Sequence, residues 1–183
     1  IRSLDREAIE KHLEMGNVVV ATGFQGIDEE GNLNPLGRGG SDTSAVALAA
    51  ALAAKECEIY TDVEGVFTAD PRICPDAQKI DEISFDEMME LASQGAKVLQ
   101  IRSVELAMNH DVPIRVRSTF SDNLGTLVRS EDDSIEKLVV RGVSHNKNEV
   151  KITLRQVPDQ PGIAAKVFTT LAKAQINVDV IVQ

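Results

Sequence analysis

Three stretches of this chain gather residue types that handle anions. The first is GRGGSD, Gly37 to Asp42, which runs straight into the alanine-rich segment Ala45–Lys55. Glycine reaches left-handed backbone angles cheaply and lets N–H groups come close to a ligand. A helix starting behind such a loop adds unpaired N–H donors and a partial positive charge. Gly37, Gly39 and Gly40 with that helix start therefore describe an anion cradle. Arg38 adds a planar fork able to grip carboxylate or phosphate through two bonds. The G-K-[ST] ending of a Walker A loop is absent. A tight connection with Asp42 as an ordinary N-cap accounts for the same six residues equally well.

The second stretch is TDVEGVFTADPR, 61–72. Thr61 and Asp62 close a short apolar run, where an aspartate can accept from a ribose hydroxyl or a base amine. Phe67 offers a face to a flat ring, and Arg72 a fork to phosphates. Residue by residue, a solvated turn shaped by Pro71 is the simpler account; the whole string is harder to explain that way. The third is Lys97, just after Gly95. A cation near a helix N-terminus opposes the helix dipole, which suggests an external anion such as a nucleotide phosphate. A plain surface lysine has equal weight.

These stretches need elements to hold them. SLDREAIEKHLEMG puts Leu4, Ala8, Ile9 and Leu13 on one helical face with Gly16 as the stop. NVVVAT reads as a short buried strand, and Gly23 to about Ser41 as a long irregular loop of the kind that carries function. Ser41 or Asp42 caps the alanine-rich helix, and CEIYTD is a second strand. Ser84 and Glu87 form a capping box for FDEMMELAS, ended by Gly95. KVLQIRSVELAMNHD is a further helix, with Val98, Ile101, Val104 or Glu105, and Met108 at helical spacing. VPIRVRS and GTLV are strands. This alternation predicts an α/β domain with a largely parallel sheet, its ligands beyond the carboxyl ends of the strands. The polar run RSEDDSIEK predicts a boundary, with 131–137 as linker. LVVRGVS, EVKITLRQV, GIAAKVFTTLAKAQ and NVDVIVQ then predict strand, strand, helix and strand.

Composition narrows the partners. Nineteen basic and 29 acidic side chains give a net charge of −10 over 183 residues, which argues against a sequence-independent nucleic-acid binder. No apolar run reaches membrane-spanning length. Cys57 and Cys74 form no C-x-x-C pair, and His12, His110 and His145 are scattered, so no metal centre is expected. DEEGNLN departs from the calcium-loop register and reads as a polar turn. The start at Ile1, without Met, fits a fragment.

ATGFQG, LGRGGSDTSAVALAA, TDVEGVFTADPR and GAKVLQ, in this order and spacing, closely resemble the C-terminal lobe of the aspartate kinases of the amino acid kinase family. VPDQPGIAAKVFTTLAKAQINVDVIVQ resembles the first part of an ACT regulatory domain. The resemblance implies a three-layer αβα sandwich over 1–130, a linker at 131–137, and a partial ferredoxin-like βαβ module, the first ACT domain, incomplete, over 138–183. It implies phosphorylation of the L-aspartate side-chain carboxylate by ATP with Mg²⁺, the first step toward lysine, threonine and methionine, in the cytoplasm or a plastid. By that match Asp42 is the catalytic-site aspartate, and Phe24, Arg38 and Ser41 bind substrate. Gly37, Gly39, Gly40, Thr61, Asp62, Phe67, Arg72 and Lys97 face the nucleotide. Asp159, Gly162, Ile163, Ala164, Asn177, Val178 and Asp179 are the positions for an amino-acid effector, lysine or threonine. ACT pairing implies a homo-oligomer or an alpha/beta hetero-oligomer.

There are departures. The family's N-terminal Lys-Phe-Gly-Gly segment is absent, Asn34-Pro35 stands where Thr-Thr is usual, and Phe67 is often Tyr. The chain alone is therefore expected to be inactive. A non-catalytic regulatory or assembly subunit, or a kinase acting on glutamate or acetylglutamate, are the alternatives.

Overall fold

The computed structural model describes residues 4–131, 140–145, 150, 152–158 and 160–178. The chain divides into two compact units between residues 146 and 147. The first holds α1 (Glu7–Glu14), β1 (Gln25–Ile27), β2 (Leu33–Pro35), α2 (Gly40–Ala51), β3 (Cys57–Thr61), β4 (Glu82–Ser84), α3 (Phe85–Ser93), α4 (Ile101–His110), β5 (Ile114–Ser118) and β6 (Thr126–Arg129). The second holds α5 (Ile163–Lys173). The class is α/β, as expected.

The main sheet runs β3-β5-β6-β4, and β1 and β2 form a separate antiparallel pair. β3 and β5 are parallel, as are β4 and β6, but β5 and β6 are antiparallel. The sheet is thus largely parallel, as expected, with one antiparallel pairing at its centre. The cause is the short connection between β5 and β6, since a parallel pair needs a long crossover.

β5 alternates buried and half-buried residues, and Ile114, Val116 and Val128 are fully buried. They share one core with Val46 of α2, Met88 of α3 and Val104 and Ala107 of α4. Burying each such Val or Ile side chain contributes roughly 1.5–3 kcal/mol. The alternate residues carry charge: Arg115 pairs with Glu56 at 3.1 Å, Arg117 with Glu58 at 3.2 Å and Arg129 with Glu82 at 2.8 Å. The period-2 pattern of IRVRS therefore separates an apolar face under the helices from a face of cross-strand ion pairs.

Several local expectations hold. Ser84 Oγ accepts from the Glu87 N–H at 3.2 Å and the Glu87 carboxylate accepts from the Ser84 N–H at 3.1 Å, completing the capping box. The first five residues of DEEGNLN form the β1–β2 turn, where Asp28 accepts from the N–H groups of Glu30 and Asn32 at 3.0 and 2.8 Å, and its last two open β2.

Others are corrected. The cap of α2 is Gly39, at φ +73°, and neither Ser41 nor Asp42, because the left-handed glycine turns the chain into the helix one residue before Ser41. α4 begins at Ile101, which leaves Lys97 in the turn before it. The loop from Gly23 contains a hairpin whose three-residue strands are mostly exposed and so carried no apolar signal. NVVVAT forms no strand, and Val18 and Val20 are 92% and 93% exposed. An apolar run becomes a strand only beside a ladder partner, and none lies beside it among the described residues. The face Leu4, Ala8, Ile9 and Leu13 does form on α1, but no residue of α1 is buried.

In the second unit α5 follows Gly162, at φ +96°. No strand occurs among its described residues, where EVKITLRQV and the start of NVDVIVQ were expected to form strands. Asp159, Asp179, 132–137 of the linker and 180–183 lie outside the described residues.

Thr126 locks the loop after β3. Its fully buried hydroxyl accepts from the Val66 N–H at 2.8 Å and donates to the Ile80 carbonyl at 2.5 Å. Thr126→Val keeps the volume and strands both groups, so it is expected to lower stability by about 1–3 kcal/mol in denaturant titration. An unchanged midpoint would show that the two backbone groups find other partners.

Candidate anion-binding site

The glycine loop is held by its carbonyls. Arg102 donates from one guanidinium nitrogen to Leu36 O at 3.1 Å and to Arg38 O at 2.6 Å. Gly37 O accepts from the Gly40 N–H at 2.9 Å, and Gly39 O accepts from the Thr43 hydroxyl at 2.8 Å and its N–H at 3.1 Å. Every carbonyl from Leu36 to Gly39 is thus occupied. The N–H groups of Arg38 and Gly39 make no backbone bond among the described residues. Carbonyls tied back with N–H groups left over is the arrangement that suits an anion. Gly37 and Gly39, at φ +76° and +73°, make it possible. At Gly40 a Cβ would lie 2.8 Å from Leu36 Cβ and 3.1 Å from the Phe24 ring, so the helix start can press against Phe24 only as glycine.

Phe24 is held at φ +68°, with its N–H on Ser44 Oγ at 3.2 Å and its carbonyl accepting from the Leu36 N–H at 2.9 Å. A left-handed conformation is uncommon for a bulky residue, and such strain concentrates at functional sites. Asp42 sits in the first turn of α2. Burial pushes its carboxyl above the ordinary range, and bonds from the Ser41 hydroxyl and the Gln100 N–H only partly offset that.

Beside this loop is a cavity of about 330 Å³, whose wall includes Arg38, Lys97, Gln100 and Arg102. Arg38 and Lys97, expected on separate grounds, therefore face one space although 59 residues apart in sequence. Three cations and no carboxylate line it, a charge distribution that concentrates anions.

The second loop is organised separately. Thr61 ends β3, its carbonyl accepting from the Thr119 N–H at 2.8 Å and hydroxyl at 3.1 Å, while its own hydroxyl donates to Asp62 at 3.1 Å. Phe67 is half-buried and bridges to Lys79. The Arg72 fork is bound to both carboxylate oxygens of Asp70, at 3.0 Å each. That pairing holds the Asp70 carboxyl below its usual range. Thr61, Asp62, Phe67 and Arg72 are not among the residues lining the 330 Å³ cavity.

Among the described residues no group of three His, Cys, Asp or Glu could hold a metal. No helix there is long and apolar enough to cross a membrane. Of the effector positions, Gly162, Ile163 and Ala164 open α5, while Asn177 and Val178 follow its far end.

Sequence reasoning missed Arg102, Gln100 and Thr119. Arg102 had a signal of the kind used for Lys97: it is a cation in the first turn of α4, a turn that carries no acidic residue. Thr119 had none, because only the pairing of β3 with β5 brings it to Thr61.

Residues 1–118 match the model of the amino acid kinase family and residues 152–183 that of the ACT domain. An aspartate kinase of Pseudomonas fluorescens is 52% identical over 184 aligned positions, covering 100% of this chain and 45% of that protein. Among solved structures, Escherichia coli aspartokinase III in complex with lysine and aspartate superposes with a TM-score of 0.73 at 34% identity. That match covers 97% of this chain and 40% of the other. The same enzyme in complex with aspartate and ADP gives 0.68 at 34% identity, over 97% and 39%. The chain spans about 45% of the length of the first curated relatives it matches.

Proposed function

The chain belongs to the amino acid kinase family, and from that premise we propose that it is the nucleotide-facing part of an aspartate kinase. The reaction is transfer of the ATP γ-phosphoryl group to the side-chain carboxylate of L-aspartate, giving 4-phospho-L-aspartate. The 52% identity to an aspartate kinase supports the substrate, as do the aspartate and ADP held by the structural neighbour. The observation that carries the proposal is the cavity where Arg38 and Lys97 meet beside the glycine loop.

Phosphoryl transfer asks a protein mainly to position groups and neutralise charge. Arg38 pairs with a substrate carboxylate; Phe24, against Gly40, and Ser41, in the first turn of α2, are assigned to the substrate side although neither lines the 330 Å³ cavity. The N–H groups of the Gly37–Gly40 loop and the Lys97 ammonium meet phosphoryl oxygens. Thr61, Asp62 and Phe67 receive the nucleoside. Arg72 serves the phosphates by exchanging Asp70 for them, or by standing with Asp70 at the edge of the site. Asp42 sets the charge balance at the helix start. Mg²⁺ would be held mainly by the nucleotide phosphates, with Asp42 as the carboxylate at the loop, and would neutralise phosphoryl charge.

The domains are proposed as 1–130 for the nucleotide-binding lobe, 131–137 for a linker and 138–183 for an effector-binding ACT module. Lysine or threonine is the effector class, and ACT pairing the route to a homo- or hetero-oligomer. The setting is cytoplasmic.

The full-length gene product, given ATP, Mg²⁺, L-aspartate and hydroxylamine, is expected to form aspartyl hydroxamate, the trapped acyl phosphate. Turnover with glutamate or acetylglutamate in place of aspartate would move it to another amino acid kinase. Effector binding and dimerisation without turnover would make it a regulatory subunit. The 183-residue chain alone is expected to give no hydroxamate.

A further inference from the structure

We infer that Arg102 is a positioning residue that fixes the direction of the glycine loop's peptide groups. Its role rests on the proposed pairing of Arg38 with the amino-acid substrate, but the lock itself stands on geometry. The Leu36 and Arg38 carbonyls flank Gly37, and both are drawn to one Arg102 nitrogen, at 3.1 and 2.6 Å. These two residues lie 66 and 64 positions away in sequence. No other bond to either carbonyl occurs among the described residues.

The loop needs such a lock because of its glycines. Gly37 and Gly39 already sit in the left-handed region. Glycine passes between the two halves of the backbone map at little cost, so the peptides on either side of each can turn over. A turned peptide would point a carbonyl oxygen, in place of an N–H, at the anion. Repulsion would then replace attraction at the place where charge must be neutralised. Arg102 opposes that turnover by binding the carbonyls in their present direction, through charge-assisted bonds stronger than neutral ones.

The rest of the α4 entry braces the same turn. A Cβ on Gly39 would lie 2.2 Å from Gln100 Cγ, so the loop rests directly on that side chain. The Gln100 N–H favours the charged form of the Asp42 carboxyl. Arg102 also lines the cavity with Arg38 and Lys97, so its charge adds to the field there while its hydrogen bonds face the loop. The same two carbonyl bonds set the Arg38 backbone, and hence the origin of the Arg38 fork.

Two readouts on Arg102→Ala and Arg102→Lys in the full-length gene product test this. By hydrogen exchange, Arg102→Ala is expected to speed exchange of the Gly40 amide, whose acceptor is Gly37 O, about tenfold. Unchanged exchange there would overturn the lock whatever the enzyme's substrate. By kinetics, Arg102→Ala is expected to raise KM for aspartate about tenfold, the loss of one charge-assisted bond. KM for ATP should stay within about twofold, and added guanidinium ion should restore part of the loss. An aspartate KM within about twofold of wild type would overturn the positioning role. So would an equal loss for both substrates that neither Arg102→Lys nor guanidinium relieves. A wild-type protein with no aspartate-dependent turnover, but with faster Gly40 exchange in Arg102→Ala, would sink the kinase proposal and leave the lock standing.

Discussion

Asp42→Asn in the full-length gene product is expected to lower kcat at least about a hundredfold, the scale of losing one preorganised electrostatic group, while raising the melting temperature at pH 7. The two effects have one origin. Asp42 is half-buried at the start of α2, and burial raises its carboxyl above the ordinary value despite the Ser41 and Gln100 bonds. A carboxyl whose folded pKa is raised favours the folded state fully only below its unfolded pKa. That contribution is lost as pH rises through the folded value. At pH 7 the ionised carboxylate therefore works against folding, and a neutral amide of the same shape relieves it. The gain should be full at pH 7 and shrink as pH falls toward the ordinary aspartate range. A near-normal kcat would remove Asp42 from the mechanism. A melting temperature that falls at pH 7 would show that the dipole of α2 and the Gln100 bond outweigh the burial cost.

Arg38→Ala is expected to raise KM for aspartate at least about tenfold, since a hydrogen bond to a charged group is worth roughly 1.5–3 kcal/mol. KM for ATP should move far less. The loop should survive the change, because Arg38 is held there through its backbone carbonyl and not its side chain. Arg38→Lys should recover only part of the loss, as an ammonium cannot reproduce the planar two-point grip. The reverse pattern, a large rise for ATP and little for aspartate, would place Arg38 on the nucleotide. Near-UV circular dichroism matching wild type would confirm that the kinetic change is local.

Much of the local structure was legible in the sequence. The S-x-x-E box of Ser84 and Glu87 needs only two side chains and the backbone between them, and it formed as written. The alternation in IRVRS could be satisfied in one way, apolar residues toward the helices and arginines toward the opposing glutamates. The hairpin β1–β2 was missed because polar three-residue strands are specified by their turn and not by apolar period. The start of α2 was misplaced because Ser41 and Asp42 are both good caps, whereas the real cap is a left-handed glycine whose angle no residue type announces.

The sequence by itself determined the anion-handling residue types of the loop at Gly37–Asp42, the helices α2, α3 and α4, the strands β3, β5 and β6 though not the three-residue β4, and the order in which they occur. Those properties are local: they depend on backbone freedom, side-chain period and caps within a few residues. Tertiary structure alone decided that Arg38 and Lys97 share one cavity, that Arg72 is tied to Asp70, and that Arg102 ties down the glycine loop. It also decided that NVVVAT is no strand here, since a strand exists only with a partner beside it. The first and third of these contacts join residues about 60 positions apart, and such distances close only when helices pack across a sheet. The direction of a peptide group is likewise set by what its carbonyl meets after folding, and in this loop that partner is Arg102.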